Sequence, residues 1–180
     1  MAHSVELLLD PESESWVVGI WAALSAAGLP SQGAIRSGTN RPHVTLVAAE
    51  HISPEVDTSL ASILPADPLR LGLTSVVVFG GKRATIALGV VMTDALMSVH
   101  REVAAATTPH ATRVFHHARP GDWTPHVTIA RRVPGDRIGE VLGTIGVVGD
   151  GVTVAPQRDA TAVALRRWDS DTRTDVVFGG

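Results

Sequence analysis

The chain has 180 residues, 44% of them hydrophobic and 18% charged, which suits one compact domain or two small lobes on a shared core and argues against disorder. With no cysteine it excludes disulfides, thiolate zinc sites and cysteine nucleophiles. Fifteen Lys and Arg against 18 Asp and Glu leave a net charge of −3, without the basic excess that gripping an extended duplex requires.

Val5 to Leu9 reads as a short apolar strand. Asp10-Pro11-Glu12 then starts a helix: a capping carboxylate, proline in the first turn and an acid near the positive helix end. Trp16, Ile20 and Leu24, with Val17 and Trp21 beside them, form its apolar stripe, and Gly28 and Pro30 stop it. Pro42 to Ala49 is a strand, and Ser53-Pro54-Glu55 opens a second helix that ends before Pro65. Leu69–Phe79 and Arg83–Val91 are strand-like runs joined by a Gly80-Gly81-Lys82 hairpin turn. Thr93-Asp94 caps a helix carrying Leu96, Val99 and Val103. Pro125–Ala130 is a strand, Asp136–Ile145 a helix, and Arg158–Trp168 and Arg173–Phe178 are strands around a polar turn.

One period runs through this order. The helix caps Asp10 and Thr93 are 83 positions apart, as are His43 and His126, and the helix starts Ser53 and Asp136. A strand–helix–strand–helix–strand unit is thus used twice, about 4–80 and 83–178, within a single domain spanning 1–180. Two copies are too few for a solenoid and imply two pseudo-symmetric lobes packed together.

The repeat carries a motif. Arg41-Pro42-His43-Val44-Thr45-Leu46 and Thr124-Pro125-His126-Val127-Thr128-Ile129 share Pro-His-Val-Thr. Proline opens the strand, His and Thr lie two apart on one face, and Val44, Leu46, Val127 and Ile129 face apolar packing. Across a cleft, one neutral imidazole takes a proton from the attacking oxygen while the other, as imidazolium, protonates the leaving oxygen. Threonine hydroxyls donate to the phosphate oxygens where charge concentrates. No metal is needed for this chemistry. A zinc pair is the competing account, but zinc sites take three or four ligands, and His3, His51, His100, His110, His116 and His117 show no ligand spacing. No metal or other cofactor is therefore expected. The glycine-rich Gly80-Gly81-Lys82-Arg83 lacks the first Gly and the final Ser/Thr of a P-loop, and there is no Gly-x-Ser-x-Gly elbow.

These motifs resemble the two-histidine phosphoesterases, which include bacterial 2′-5′ RNA ligases and 2′,3′-cyclic phosphodiesterases. The similarity spans nearly the whole chain, from Glu6-Leu7-Leu8-Leu9-Asp10-Pro11 through both His-x-Thr signatures to Gly121-Asp122-Trp123 before the second. It implies an α+β, bilobed fold, with antiparallel sheets around a central cleft and helices outside. It also implies that His43 and His126 are catalytic and that Thr45 and Thr128 bind phosphate. Relatives that bind nucleotides often stack the base on an aromatic ring. With no tyrosine here, the candidates are Trp123, Phe115, Phe79 and Trp168. Strict alternation from His126 aims Arg132, rather than Arg131, at the cleft as a phosphate ligand.

The expected activity is metal-independent hydrolysis of a small cyclic or 2′-5′-linked phosphodiester, with His126 as base and His43 as acid. The alternatives are 2′-5′ RNA ligation and non-catalytic binding of a nucleotide or phosphate. The expected partner is a small phosphodiester or RNA-end substrate, with no extended duplex and no membrane, and the protein is expected to be a monomer. No apolar run nears the ~20 residues of a membrane span, and residues 1–10 lack a secretion signal, so a cytoplasmic chain is expected.

Overall fold

The computed structural model of the chain describes residues 2–63, 68–146 and 158–179. Its elements follow the expected order: β1 (His3–Leu9), α1 (Pro11–Ala26), β2 (His43–Ile52), α2 (Asp57–Leu60), β3 (Leu69–Phe79), β4 (Ala84–Val90), α3 (Asp94–Thr107), β5 (Ala111–Val114), β6 (His126–Val133), α4 (Ile138–Thr144), β7 (Arg158–Asp169) and β8 (Thr174–Phe178). The proposed caps act as caps: Asp10 accepts from the Ser13 amide at 2.9 Å and Thr93 from the Leu96 amide at 3.2 Å. Gly28 takes the left-handed conformation that ends α1. Differences are local. The helices expected from Ser53 and Asp136 are each a helical turn followed by a short α-helix, and the four-residue β5 lacks any periodic signal. Pro65 lies outside the described residues. No described helix is long and apolar enough to cross a membrane.

All strand pairs are antiparallel, and six strands close on themselves in the order β1-β2-β6-β4-β3-β7, with β7 returning to β1. Strands β5 and β8 extend this ring from β2 and β7. Val44 and Val127, equivalent residues of the two repeats, pair directly with each other, so the pseudo-twofold axis passes between them. The repeats in sequence are not the lobes in space. Strand β1 pairs with β2 and with β7 of the second repeat, while β4 pairs with β6 and with β3 of the first. Each unit lends its third strand to the other, which makes the halves one cooperative core.

That core collects alternate residues of the strands, such as Val5, Leu7, Val44, Leu46, Leu88, Val127 and Ile129, under the helices. Helix α1 buries Val17, Trp21 and Leu24, with Trp16 and Ile20 only partly covered, and α3 buries Leu96, Val99 and Val103. The opposite faces of the strands are left to form a cleft.

Candidate active site

The cleft encloses about 570 Å³. Its walls include Ser4 and Glu6 of β1, His43, Thr45 and Ala48 of β2, His126 and Arg131 of β6, and Arg166 and Trp168 of β7. The loop before β2 closes one side with Ile35, Ser37, Thr39 and Asn40. His43 and His126 therefore face one cavity, as the motif predicts. Thr45 lies on its wall, whereas Thr128, half-buried at the equivalent place on β6, is not among the lining residues.

Each catalytic candidate is oriented in the same way. His43 Nδ1 donates to the Arg41 carbonyl at 2.7 Å, and His126 Nδ1 donates to the Thr124 carbonyl at 2.7 Å. A carbonyl can only accept, so Nδ1 carries the proton, leaving each Nε2 free to exchange a proton. The backbone just before each strand thus selects the tautomer, twice, 83 residues apart.

A bulge aligns the rest of the site. Val5 pairs with Val47 and Glu6 with Thr45, so Leu46 is an extra residue in β2. Ile86 pairs with Ala130 and Ala87 with Thr128, so Ile129 is extra in β6. The extra residue reverses the alternation beyond it, which brings Ala48 and its equivalent Arg131 to the cleft. The expectation of Arg132 is thereby corrected: Arg131 lines the cavity, and Arg132 sits in a second irregularity before Val133 with φ of 57°. Arg131→Gln should lower kcat/KM roughly tenfold through a lost charged hydrogen bond, and Arg132→Gln should leave it unchanged in steady-state kinetics.

The bulges also explain two tryptophans. A bulge disrupts the ladder locally, and here an indole meets each threonine carbonyl. Trp123 Nε1 donates to Thr45 O at 2.8 Å, and Trp21 Nε1 of α1 donates to Thr128 O at 3.1 Å. Trp123 is only 7% exposed and stacks on the buried His100, ring centroids 3.9 Å apart. It reaches the cleft wall, but it braces β2 and has one face covered. Phe79 packs on the His126 ring at 4.7 Å, and Phe115, Trp123 and Trp168 are the aromatics that line the cleft.

Electrostatics break the symmetry. Glu6 stands opposite Thr45 and Arg166 on β1 and β7; the matching places on β4 and β3 hold Ala87 and Val77. Glu6 Oε1 lies 3.5 Å from His43 Nε2 and accepts from Ser4 Oγ at 2.6 Å, while Oε2 accepts from both Nε and Nη2 of Arg166. Burial by itself would raise the Glu6 carboxyl. The charges of His43 and Arg166 and the donated hydrogen bonds outweigh it and hold the group below the ordinary carboxylate value. Arg166 Nη1 also donates to the Thr39 carbonyl at 2.7 Å, anchoring the loop beside the cleft. His126, with no such carboxylate, is pushed below the ordinary imidazole value, chiefly by burial. The Thr124 hydrogen bond opposes that shift, and the positive charges of His43 and Arg131 add to it. Glu6 and Arg166 escape a motif search because they lie outside the two signatures; the signal in the sequence was a glutamate inside the apolar run of β1 and an arginine directly after the apolar stretch Ala162–Leu165 of β7.

A family model of the 2′-5′ RNA ligase superfamily matches residues 11–172. Among solved structures, E. coli LigT in apo form is 15% identical with a TM-score of 0.55, covering 99% of this chain and 94% of that one. E. coli LigT complexed with 3′-AMP is 13% identical, TM-score 0.53, covering 99% and 93%. Kluyveromyces marxianus Usb1 with uridine monophosphate is 12% identical, TM-score 0.55, covering 99% and 98%. At these identities the likeness is one of fold. No curated protein sequence matches the chain.

Proposed function

The chain belongs to the 2′-5′ RNA ligase superfamily, and from that footing we propose that it hydrolyses a small cyclic or 2′-5′-linked phosphodiester, such as a 2′,3′-cyclic nucleotide or an RNA end, without a metal. The observation that carries this reading is the pair of imidazoles, each tautomer-locked through Nδ1, lining one cleft. That the cleft takes a nucleotide-sized ligand is supported by its volume and by LigT and Usb1, whose structures hold 3′-AMP and uridine monophosphate.

The asymmetry divides the labour. Neutral His126 takes the proton from water through Nε2 as the water oxygen bonds to phosphorus. His43, whose Nε2 lies 3.5 Å from the Glu6 carboxylate, gives its Nε2 proton to the departing ribose oxygen, and a phosphomonoester results. Thr45 and Arg131, which line the cleft, donate to the non-bridging oxygens. Phe115 and Trp168 offer the faces on which a base stacks. The protein acts as a monomer on a small substrate. The ligase direction in the family's name needs two RNA ends in the same cleft, and a formal charge of −3 gives it little electrostatic support.

The test is a panel of 2′,3′-cyclic nucleotides and 2′-5′-linked dinucleotides assayed with wild type and His43→Ala together; equal rates, or no turnover of any member, would refute the proposal. Exhaustive chelation should leave the rate intact, and a strict need for added metal would count against it. The pH profile tests the role assignment. The rate should rise as His126 loses its proton, with the midpoint below the ordinary value of about 6.5. Glu6→Gln removes the charge facing His43, so kcat should fall while the acid limb set by His126 stays in place.

A further inference from the structure

A second histidine cluster lies on the other side of the same sheet. One donor atom from each of His3, His51 and Asp171 lies within 4.8 Å of the other two. His3 Nε2 is 3.1 Å from Asp171 Oδ2 and 3.6 Å from Asp169 Oδ1, and His51 Nδ1 is 3.9 Å from Asp171 Oδ2. The two imidazole rings meet edge-on, with centroids 4.7 Å apart. The residues come from the start of β1, the end of β2 and the β7–β8 turn, and among the described residues the set has no counterpart in the other lobe, where Gly80-Gly81-Lys82 forms the matching turn.

We propose that His3, His51 and Asp171 form a binding site for a first-row divalent transition metal, of which zinc is the test case. Two imidazole nitrogens and one carboxylate oxygen are the donor set such ions take, whereas calcium and magnesium want oxygen alone. Zinc bonds of about 2.0–2.2 Å in tetrahedral geometry put neighbouring donors roughly 3.4 Å apart. The spacings of 3.1 and 3.9 Å straddle that value, so a small turn of a side chain closes the set. Charge points the same way. A fully buried imidazole faces two carboxylates, and a divalent ion with both histidines neutral balances Asp169 and Asp171 together.

Two of the three ligands are already held in place. His3 is enclosed by packing, and Asp169 Oδ1 accepts the amides of Asp171 at 2.8 Å and Thr172 at 3.1 Å, which fixes the turn that presents Asp171. His51, about half exposed, is the ligand free to swing in, and water completes the shell. The site is separate from the cleft. Ser4, Glu6 and Trp168 face the cavity, so their strand neighbours His3 and Asp169 alternate to the far face, and Asp171 in the following turn meets His3 there. His51 is eight residues from His43 along β2, about 27 Å at the strand rise. The ion would tie together the ends of three strands that carry the cleft wall, a bracing role independent of the reaction proposed above.

The full chain, stripped with a chelator and returned to chelator-free buffer, is titrated with zinc chloride by calorimetry and with cobalt(II) by visible absorption. One equivalent should bind, zinc should raise the melting temperature, and His51→Ala and Asp171→Asn should each weaken binding at least about tenfold. Both side chains are more than half exposed, so the variants should keep the wild-type circular dichroism and hydrolytic rate. Absence of saturable binding near one equivalent, or unchanged affinity in either variant, would overturn the proposal.

Discussion

Alanine at His126 or at His43 is expected to lower turnover of a 2′,3′-cyclic nucleotide by about 10²–10⁴-fold, with KM little altered and the melting temperature close to wild type. The size follows from what each ring supplies. As the proposed base, His126 has its charged form disfavoured by burial, with Phe79 packed on its ring. As the proposed acid, His43 has the Glu6 carboxylate 3.5 Å from its Nε2. Neither ring carries the core: each is half-buried on a cleft wall, and its one strong hydrogen bond goes to a carbonyl two residues away. The double variant should be little worse than either single one, since an acid without its base leaves the same slow step. Single-turnover kinetics of the three variants is the measurement; additive losses would mean that the rings act independently.

Arg166→Met should cost about 3–5 kcal/mol of stability, more than any other cleft substitution, because it strips the partner from a carboxylate that is buried in the sheet. Arg166 is 2% exposed, and besides Glu6 it serves the Thr39 carbonyl and Asp175, so the loss reaches the loop before β2 and the edge strand β8. Adding Glu6→Gln should recover part of the loss, since the stranded charge is then gone. The pH dependence has a definite sign. The folded Glu6 carboxyl lies below its unfolded value, so its contribution is complete above about pH 4.3 and disappears as pH falls through the folded value. Wild type should therefore lose stability below pH 4.3 more steeply than Arg166→Met in urea titrations.

Much of this molecule can be read along the chain because its signals are local. Strand alternation, the Asp10 and Thr93 caps and the stop at Gly28 depend on a few neighbouring residues, and all appear where periodicity and capping chemistry put them. The 83-residue period belongs to the same class, since a duplicated unit repeats its local rules. Arg132 shows where local reading fails: alternation is a rule of regular strands, and the bulge at Ile129 is visible only through the pairing with Ile86 and Ala87. Trp123 shows the same limit from another side: it lines the cleft, as its place beside the second motif suggests, but its hydrogen bond to Thr45, 78 residues away, is visible only in the fold.

The order of the helices and of every strand but β5, and the two histidines that share the cleft, were thus legible from residue order, because hydrophobic period, capping and a repeated motif are encoded within short windows. Pairings between distant segments decided the rest. They exchange the third strand of each repeat between lobes and set Glu6 and Arg166, 160 residues apart, behind only one of two otherwise equivalent histidines. They also gather His3, His51 and Asp171 at one corner. No window of sequence contains such contacts, since what joins them is the closure of the sheet, and closure is a property of the whole chain.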